Sequence, residues 1–581
     1  MPSHKLLVRF SALALLTSLS LGCLGPLDHT IDEEISQLQQ ATQRRYHNQA
    51  KLNQPFTLSP PKLNVITNMS PAVLKELNAK YGPDSYRSHT LDLGTDLFGK
   101  PHAKAHRITL NQAIKLAAKN NLAVKIAAIQ PEITATQTLQ AQAAFDALFF
   151  TNFRYSKLDT PRPPSSIGPQ FGTSQTDTRF LETGIRKRLS NGGNLTLQTQ
   201  YTRTDSTSTQ FTVNPYHSPN ISLTYSLPLM RGFGKATNRA QILLQQNANK
   251  NSHLQQTATL IETTLQVVRT YRQLQQAKND LLIQLTLKDQ IIKLRDKIAR
   301  RGLVDASEQE VSQANNFVGK STSRVITARQ NLRLISDNLK RLINDDRYPL
   351  SSEIMLLPEP MTQAMPISIN RIDSLSTAMK YRPEIKQAIL QISDAQIRQR
   401  VADNAKLPQL NLNATVRANG VDANGDAAYN VVADRSFVDY IIELSFEMPF
   451  GNRSAKALAK QRLLERSASL ANYANNVQQV ELEVLNALIQ VKDSYHLVAI
   501  SKDNRLAAAD NLRAIEVKEE HGAALTPTFL DQKIQSQQRL AEAETDEIRE
   551  LANYLTNIDK LYAAMGTILD KHNIPIKTTE D

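Results

Sequence analysis

With 581 residues the chain is longer than one compact hydrophobic core accommodates, so we expect either several domains or an elongated architecture. Only 41% of the residues are hydrophobic, and no internal apolar run reaches the roughly 18 residues of a membrane-spanning helix, which argues against a helical membrane protein. The formal net charge of +13 comes from scattered Lys and Arg residues, a pattern typical of a solvated surface and not of a nucleic-acid-binding arm.

The first residues have the three parts of an export signal. A basic start is followed by an apolar stretch at residues 10–21, which is too short to span a bilayer, and by a small-residue cleavage point at Gly22. Residues 1–22 are therefore predicted to be a signal peptide. The four residues ending at Cys23 resemble a bacterial lipobox, which predicts lipidation of Cys23. The alternative is ordinary cleavage nearby with Cys23 unmodified.

Three segments are predicted to connect or flank the folded parts. Residues 23–107 are polar and rich in Pro clusters, with short helical patterns at 31–49 and 71–81, and we interpret them as an extension tethered to or wrapped on the rest of the chain. A linker is predicted at 347–370 and a C-terminal tail at 570–581.

From residue 108 onward, apolar residues recur at helical spacing in segments rich in Ala, Gln, Leu, Lys and Glu. The pattern predicts helices at 109–143, 235–302, 306–345, 371–405, 453–521 and 526–568. At a rise of about 1.5 Å per residue, the longest helix of each half measures roughly 100 Å. The two shorter helices of each half, placed end to end, have about the same length, which predicts a barrel of helices.

Between the helices lie runs that alternate strictly between apolar and polar residues, as strands with two different faces do. The predicted strands lie at about 146–157, 219–229, 408–418 and 438–449. Each has about the 9–11 residues that a tilted strand needs to cross a bilayer. We therefore predict a membrane β-barrel portion with polar residues such as Thr224, Asn413 and Glu443 lining its lumen. The alternative is a soluble β-sandwich, for which so helical a chain offers few strands.

One further alternating pattern occurs only in the first half. Residues 180–204 contain the turn sequence Ser-Asn-Gly-Gly at 190–193 and predict an added β-hairpin. We interpret this hairpin as a ribbon outside the barrel, and the alternative is that it adds strands to the barrel.

The two halves are duplicates of one helix-strand-strand-helix unit. Residues 118–125 align with 379–386 at an offset of 261 residues, and Gly302 aligns with Gly522 at an offset of 220. The two tandem repeats are predicted to cover residues 108–346 and 371–569.

In this order of elements the chain resembles the TolC-like outer membrane factor family over about residues 108–570. The resemblance rests on the entry helix, the helix-turn tips, a strand start at Leu407-Pro408-Gln409-Leu410, and strand exits at Pro228-Leu229-Met230-Arg231-Gly232-Phe233-Gly234 and Pro449-Phe450-Gly451-Asn452-Arg453. It implies a mainly α fold with a trimeric 12-strand-type β-barrel in the outer membrane of a Gram-negative-type bacterium, and a long α-helical tunnel in the periplasm.

The function that this resemblance implies is the outer-membrane channel of a tripartite efflux or type I secretion system, a passive conduit from periplasm to exterior. The implied partners are two further copies of the chain, a periplasmic adaptor protein, an inner-membrane RND or ABC transporter, and outer membrane lipid. The alternative is a periplasmic coiled-coil scaffold without channel activity, which explains the helices but not the paired amphipathic strands.

The resemblance places the periplasmic aperture of the tunnel at the helix-turn tips, where Glu308, Thr528 and Asp531 occupy the positions of the family's aperture residues. A threefold ring of Asp531 would hold like charges close together and attract cations. The alternative is that Asp531 and Glu308 only interact with the dipoles of nearby helix N-termini.

The tips are also where the resemblance implies contact with the adaptor, through Gly302, Leu303 and Gly522, although these residues suit a plain turn as well. The family's gate Arg and Tyr correspond to Ala524 and Glu519 in this sequence.

Nothing in the sequence indicates an enzyme or a cofactor. His102 and His106 have the spacing of a metal pair, but they lie in a polar segment without a nearby acidic or Cys partner, so we interpret them as solvated. Gly232 and Gly234 follow a strand but lack the third Gly and the βαβ context of a dinucleotide site, and we interpret them as a turn between barrel and tunnel.

Overall fold

The computed structural model describes residues 40, 44, 56–59, 61, 69–95, 99, 105–162, 172–207, 212–301, 308–521 and 526–575. The predicted signal peptide, Cys23 and His102 lie outside these residues, as do the tip residues Gly302, Leu303 and Gly522.

In chain order the structure has β1 (Phe56–Thr57), α1 (Pro71–Tyr81), α2 (Pro83–Arg87), β2 (Ala105–Ile108), α3 (Leu110–Asn120), α4 (Leu122–Gln142), β3 (Ala147–Arg162), β4 (Gly172–Arg188), β5 (Asn194–Ser206), β6 (Tyr216–Pro228), α5 (Lys235–Asn238), α6 (Ala240–Arg301), α7 (Glu308–Ile343), β7 (Met355–Pro358), β8 (Ser368–Ile369), α8 (Arg371–Tyr381), α9 (Pro383–Ala405), β9 (Gln409–Asn419), α10 (Gly425–Ala433), β10 (Phe437–Glu447), α11 (Arg453–Glu520), α12 (Pro527–Ala564) and α13 (Ile568–Lys571). None of these helices is both long and apolar enough to span a membrane.

The chain divides into two compact units, the first comprising residues 1–38, 132–250 and 388–472. In the described part of this unit, six strands form one antiparallel sheet in the order β10-β9-β6-β5-β4-β3. The hairpin of β4 and β5 lies between β3 and β6, so our interpretation of it as a separate ribbon is wrong. The sheet has six strands instead of the four on which the 12-strand-type barrel was based.

The second unit comprises residues 39–131, 251–387 and 473–581. Its largest hydrophobic core joins α3, α6, α7 and β7. In the three helices the buried apolar side chains recur at the spacing that places them on one face. Tyr271 of α6 is 1% exposed. Its hydroxyl donates to the carbonyl of Ile108 at 2.9 Å and accepts from the amide of Glu359 at 3.1 Å. The segments around β2 and β7 are thereby tied to the long helix.

Parts of the predicted extension, linker and tail that the structure describes pack within this second unit. β1 pairs with β8, and β2 pairs in parallel with β7. Met355, Leu356 and Leu357 of β7 are buried, as expected for a short apolar run in a core strand. At the other end, the carboxylate of Asp559 accepts from Lys571 at 2.6 Å, and Ile574 is buried. The two strand pairings join residues far apart in the chain, which is why local patterns did not reveal them.

The helices predicted as continuous at 109–143 and 371–405 are each broken once. α3 ends before Asn121, whose side chain accepts from the amide of Ala123 at 2.9 Å and donates to the carbonyl of Leu342 at 2.8 Å. α8 ends before Arg382, which is extended because it precedes Pro383. Asn121 and Arg382 lie 261 residues apart, the offset at which the sequence analysis aligned the two halves, and the local causes of the two breaks differ.

A buried arginine anchors the N-terminal segment to the helices of the second unit. Arg505 of α11 is 1% exposed. Its guanidinium donates to Glu547 at 2.5 Å, to Asn78 at 2.9 Å and to the carbonyl of Tyr81 at 3.1 Å. Nearby, burial raises the pKa of Glu544 to about 8 even though Arg505 opposes this rise. Leu77 and other apolar residues of α1 pack against α11 and α12 in a small hydrophobic core.

Replacing Arg505 with Met will detach α1 from α11. Removing one partner of a buried charge pair leaves Glu547 uncompensated, so we expect a loss of about 3–5 kcal/mol in the free energy of unfolding and faster proteolysis around residues 71–87. Thermal unfolding in detergent and limited proteolysis measure the two effects. The matched control is Arg513→Met in the same helix, since Arg513 is 30% exposed and pairs with Glu76 at 3.6 Å. Equal effects for both variants would contradict the anchor.

Candidate functional site

The six-stranded sheet carries a continuous apolar row on one face. Antiparallel pairing sets side chains from all six strands side by side in the row Phe149, Ile185, Leu197, Leu223, Val416 and Tyr440. Every member of this row is exposed, from 44% for Leu223 to 73% for Tyr440. An exposed apolar band of this extent is a surface that needs an apolar environment.

The opposite face of the same sheet carries a hydrogen-bonded polar network. Glu182 of β4 accepts from Asn152 of β3 and from Gln200 of β5, both at 2.9 Å. Gln200 in turn accepts from Asn220 of β6 at 3.2 Å. On the last two strands, Asp439 accepts from Arg417 at 2.8 Å. Polar side chains on neighbouring strands of this face are thus hydrogen-bonded to one another.

The three residues predicted to line a lumen all lie on this polar face. Asn413 accepts from Ser226 at 2.5 Å and donates to Glu443 at 3.3 Å. Thr224, in the next row of the same face, lies 3.1 Å from the hydroxyl of Thr415. The structure therefore brings Asn413 and Glu443 into direct contact and places Thr224 beside them.

Arginines and aromatic rings share the polar face near β3 and β4, a feature that sequence reasoning missed. The guanidinium of Arg154 lies 4.9 Å from the ring centre of Phe180, and that of Arg186 lies 5.2 Å from the ring centre of Phe150. Cation–π contacts of this kind hold a flat guanidinium in place. The sequence signal that could have found these contacts is the alternation within β4. That alternation predicted the hairpin but did not show which of its side chains lie on the polar face.

The glycines after β6 form the turn that leads from the sheet to the helices. Gly232 and Gly234 have φ values of +86° and +101°, which side chains disfavour. Asn238 donates to the carbonyls of both glycines, and the amide of Gly232 donates to Asn404 at 2.7 Å. The second strand exit has the same character, because Gly451 and Asn452 also have positive φ.

The residues predicted to surround an aperture lie at helix starts in the second unit. Glu308 is the first residue of α7 and is exposed. Thr528 and Asp531 lie in the first turns of α12, where Asp531 accepts from Gln535 at 2.6 Å. His106 lies on β2 with its ring 5.0 Å from that of Tyr348. Among the described residues, no group of three or more His, Cys, Asp or Glu side chains is placed to hold a metal ion.

Several solved structures are similar in fold to this chain. The CmeC outer membrane channel of Campylobacter jejuni aligns with 82% of this chain and 92% of its own, at a TM-score of 0.57 and 16% identity. The chain has the fold of the TolC-like outer membrane factors. The open state of the Neisseria gonorrhoeae MtrE outer membrane channel aligns with 79% of this chain and 89% of its own, at a TM-score of 0.54 and 16% identity.

The outer membrane protein VceC of Vibrio cholerae shares the TolC-like fold, over 79% of this chain and 96% of its own, at a TM-score of 0.55 and 12% identity. No family model matches the chain, and no curated protein matches it in sequence. The similarity is therefore one of structure, with little sequence identity.

A charged clamp joins three helices of this TolC-like fold near the tips. Glu519, in the last turn of α11, pairs with Lys297 of α6 and with Lys533 of α12. Glu519 and Lys533 are 11% and 12% exposed. On two of the same helices, Leu294 of α6 and Ile534 of α12 belong to a small hydrophobic core. The family resemblance identifies Glu519 only as the counterpart of a gate Tyr and does not predict its pairing with two lysines.

The clamp depends on the charge of Glu519. Burial alone would raise the pKa of this carboxyl, but the hydrogen bonds and charges of Lys297 and Lys533 outweigh burial, and the pKa lies below its ordinary value of 4.5. The stabilisation is therefore complete above pH 4.5 and is lost as the pH falls through the lowered pKa.

Replacing Glu519 with Ala will loosen the tips because two lysines then face each other without a carboxylate. We expect faster amide hydrogen exchange in the last turns of α6 and α11 and the first turns of α12, with the sheet unaffected. The control is Glu520→Ala, which removes the same charge from an exposed neighbour. In the unchanged protein, lowering the pH below 4.5 should increase the same exchange after correction for the intrinsic rate. Unchanged protection in Glu519→Ala would exclude the clamp.

Proposed function

We propose that this protein is the outer-membrane channel component of a tripartite efflux or type I secretion system. Three copies form a passive conduit from periplasm to exterior, and energy comes from an inner-membrane partner. The observation that carries the proposal is the two-faced sheet, apolar across all six strands on one side and hydrogen-bonded and polar on the other.

The two faces match the two environments of a membrane channel wall. Strands in lipid need every backbone group paired and an apolar outer surface, while a water-filled lumen needs polar side chains. β9 and β10 have 11 residues each, the length that a tilted strand needs to cross a bilayer. On β10 the exposed Tyr440, Ile442 and Leu444 would face lipid, and Glu443 would face the lumen with Asn413 and Thr224.

Self-association into a homotrimer is supported by exposed apolar stripes on the helices of the second unit. Leu122, Ile126 and Ile129 of α4 follow the spacing of a coiled-coil seam and are 61%, 70% and 56% exposed. Leu482 and Ile489 of α11, one heptad apart, are 53% and 56% exposed. Seams of this kind pack against a matching helix, and a further copy of the chain provides one.

The remaining parts of the proposal concern the two ends of the protein. Glu308, Thr528 and Asp531 would surround the periplasmic aperture, and Gly302, Leu303 and Gly522 would contact a periplasmic adaptor protein that links the channel to an RND or ABC transporter. Lipidation of Cys23 would add an anchor in the outer membrane of a Gram-negative-type bacterium.

A periplasmic coiled-coil scaffold is the competing function. It accounts for the helical stripes but leaves the exposed apolar row from Phe149 to Tyr440 without a role. Extraction from membranes by salt or urea without detergent would favour the scaffold.

Reconstitution into a planar bilayer tests the channel directly. The purified protein should produce stable single-channel currents, and their absence at any protein concentration would contradict the proposal.

If Asp531 forms a threefold ring, Asp531→Ala will lower the preference for cations over anions because a ring of negative charge is removed. Asp546→Ala in the same helix, where the carboxylate is 53% exposed, is the control. Unchanged ion selectivity in Asp531→Ala would remove the ring while leaving the channel.

Introducing a charge into the α4 stripe tests the trimer. Ile126→Asp buries an unpaired carboxylate in the proposed seam, so we expect monomers in place of trimers when the mass is measured by light scattering in detergent. Ala128→Asp places the same charge on another face of α4 where the residue is also exposed, and it should leave the trimer intact. Trimers in both variants would show that the stripe is not the interface.

A further inference from the structure

We infer that β4 and β5 are part of the channel wall, so that three copies of this chain close an eighteen-stranded barrel, six strands from each, by pairing β10 of one copy with β3 of the next. This inference rests on the proposed trimeric channel and adds the width of its pore.

The hairpin repeats both faces of the sheet strand for strand. Ile185 of β4 and Leu197 of β5 continue the apolar row between Phe149 and Leu223. On the other face, Glu182 and Gln200 join the polar network. A ribbon extending into solvent has no need for an apolar face in register with its neighbours. The hairpin therefore has the construction of a membrane-spanning segment.

Among the described strands of the sheet, β3 and β10 each pair on one side only. Apolar side chains on these two strands are the most solvent-exposed of the apolar face: Phe149 and Phe153 of β3 are 68% and 71% exposed, and Ile442 of β10 is 78% exposed. Leu181, Leu223 and Val416 on inner strands are 42–44% exposed. Six antiparallel strands leave β3 and β10 running in opposite directions, so β10 of one copy can continue the antiparallel alternation against β3 of another. Open edges of this length require a partner, and closure supplies it.

Charges on the polar face favour this closing pair. β10 presents the exposed carboxylates Glu443 and Glu447. The opposite edge of the sheet presents Arg154 on β3, with Arg186 on β4 held over the ring of Phe150. Opposite charges on facing strands stabilise pairing modestly and disfavour the pairing of two like edges. The pair β10 to β3 is therefore favoured over β10 to β10 or β3 to β3.

The added hairpins widen the pore. Barrel diameter grows roughly linearly with strand number, so eighteen strands give a diameter about 1.5 times that of twelve. A wall of this width suits solutes bulkier than those a twelve-stranded barrel of the same fold admits.

Disulfide cross-linking in the intact chain tests the closing pair. Phe149→Cys on β3 is combined, one at a time, with Cys at the outward positions Tyr440, Ile442, Leu444 and Phe446 of β10. We expect disulfide-linked dimers and trimers on a non-reducing gel for at least one combination. Phe149→Cys with Cys at Ile441, which faces the other side, is the control and should give none. Trimers of correct mass without cross-links in any combination would overturn the closure while sparing the trimeric channel.

Deleting residues 172–207 tests the contribution of the hairpin to the pore. The deletion leaves β3 connected to β6 by residues 163–171 and 208–215, which keeps the antiparallel alternation and leaves four strands per copy. We expect the single-channel conductance to fall to roughly half, since cross-section follows the square of the diameter. Equal conductance in both proteins would show that the hairpin lies outside the wall. If the shortened chain does not fold, the cross-links in the intact chain decide, because those variants retain every strand.

Discussion

Backbone pairing in a single unbroken register is the constraint on which the faces of the sheet depend. Side chains alternate with a period of two, so a slip of one residue between any two neighbouring strands would move apolar side chains onto the polar face. The register from Phe149 to Tyr440 contains no such slip. Each strand therefore reinforces the position of the next, and the polar network on the other face can form only because the apolar row does.

The same constraint explains how the extra hairpin is accommodated. At Gly184, in the interior of β4, a Cβ atom would lie 2.6 Å from the carbonyl oxygen of Leu197 and 2.8 Å from Cβ of Gln198. The close approach of β4 and β5 thus requires glycine at this position. An inserted pair of strands keeps the alternation of strand directions, which an inserted single strand would reverse. The hairpin of β4 and β5 therefore lies between β3 and β6 without reversing the direction of the strands on either side of it.

The two halves of the chain share several backbone features but differ in the local chemistry that produces them. The helix break is made by a capping Asn121 in the first repeat and by a residue preceding proline in the second. Both strand exits use positive φ angles, with two glycines in one and Gly451 with Asn452 in the other. At the tips, Glu519 joins α6, α11 and α12 through two lysines, so charge pairing holds together helix ends whose turns differ in sequence.

The sequence by itself determined the elements whose signals are local. Alternation with a period of two predicted the strands and the shared polar face of Thr224, Asn413 and Glu443, and helical periodicity predicted the long helices within a few residues of their ends. These periodicities follow from which side chains each element must turn toward water or toward apolar surroundings.

Tertiary structure decided the features that depend on which segments meet. The place of β4 and β5 in the sheet, the burial of β7 in the predicted linker, and the anchoring of α1 by Arg505 all join residues far apart in the chain. The clamp at Glu519 is of the same kind, since a lone Glu near a helix end has no local signature. Such contacts are selected by packing and by the desolvation of the charges involved, and neither quantity is defined until the partners are in place.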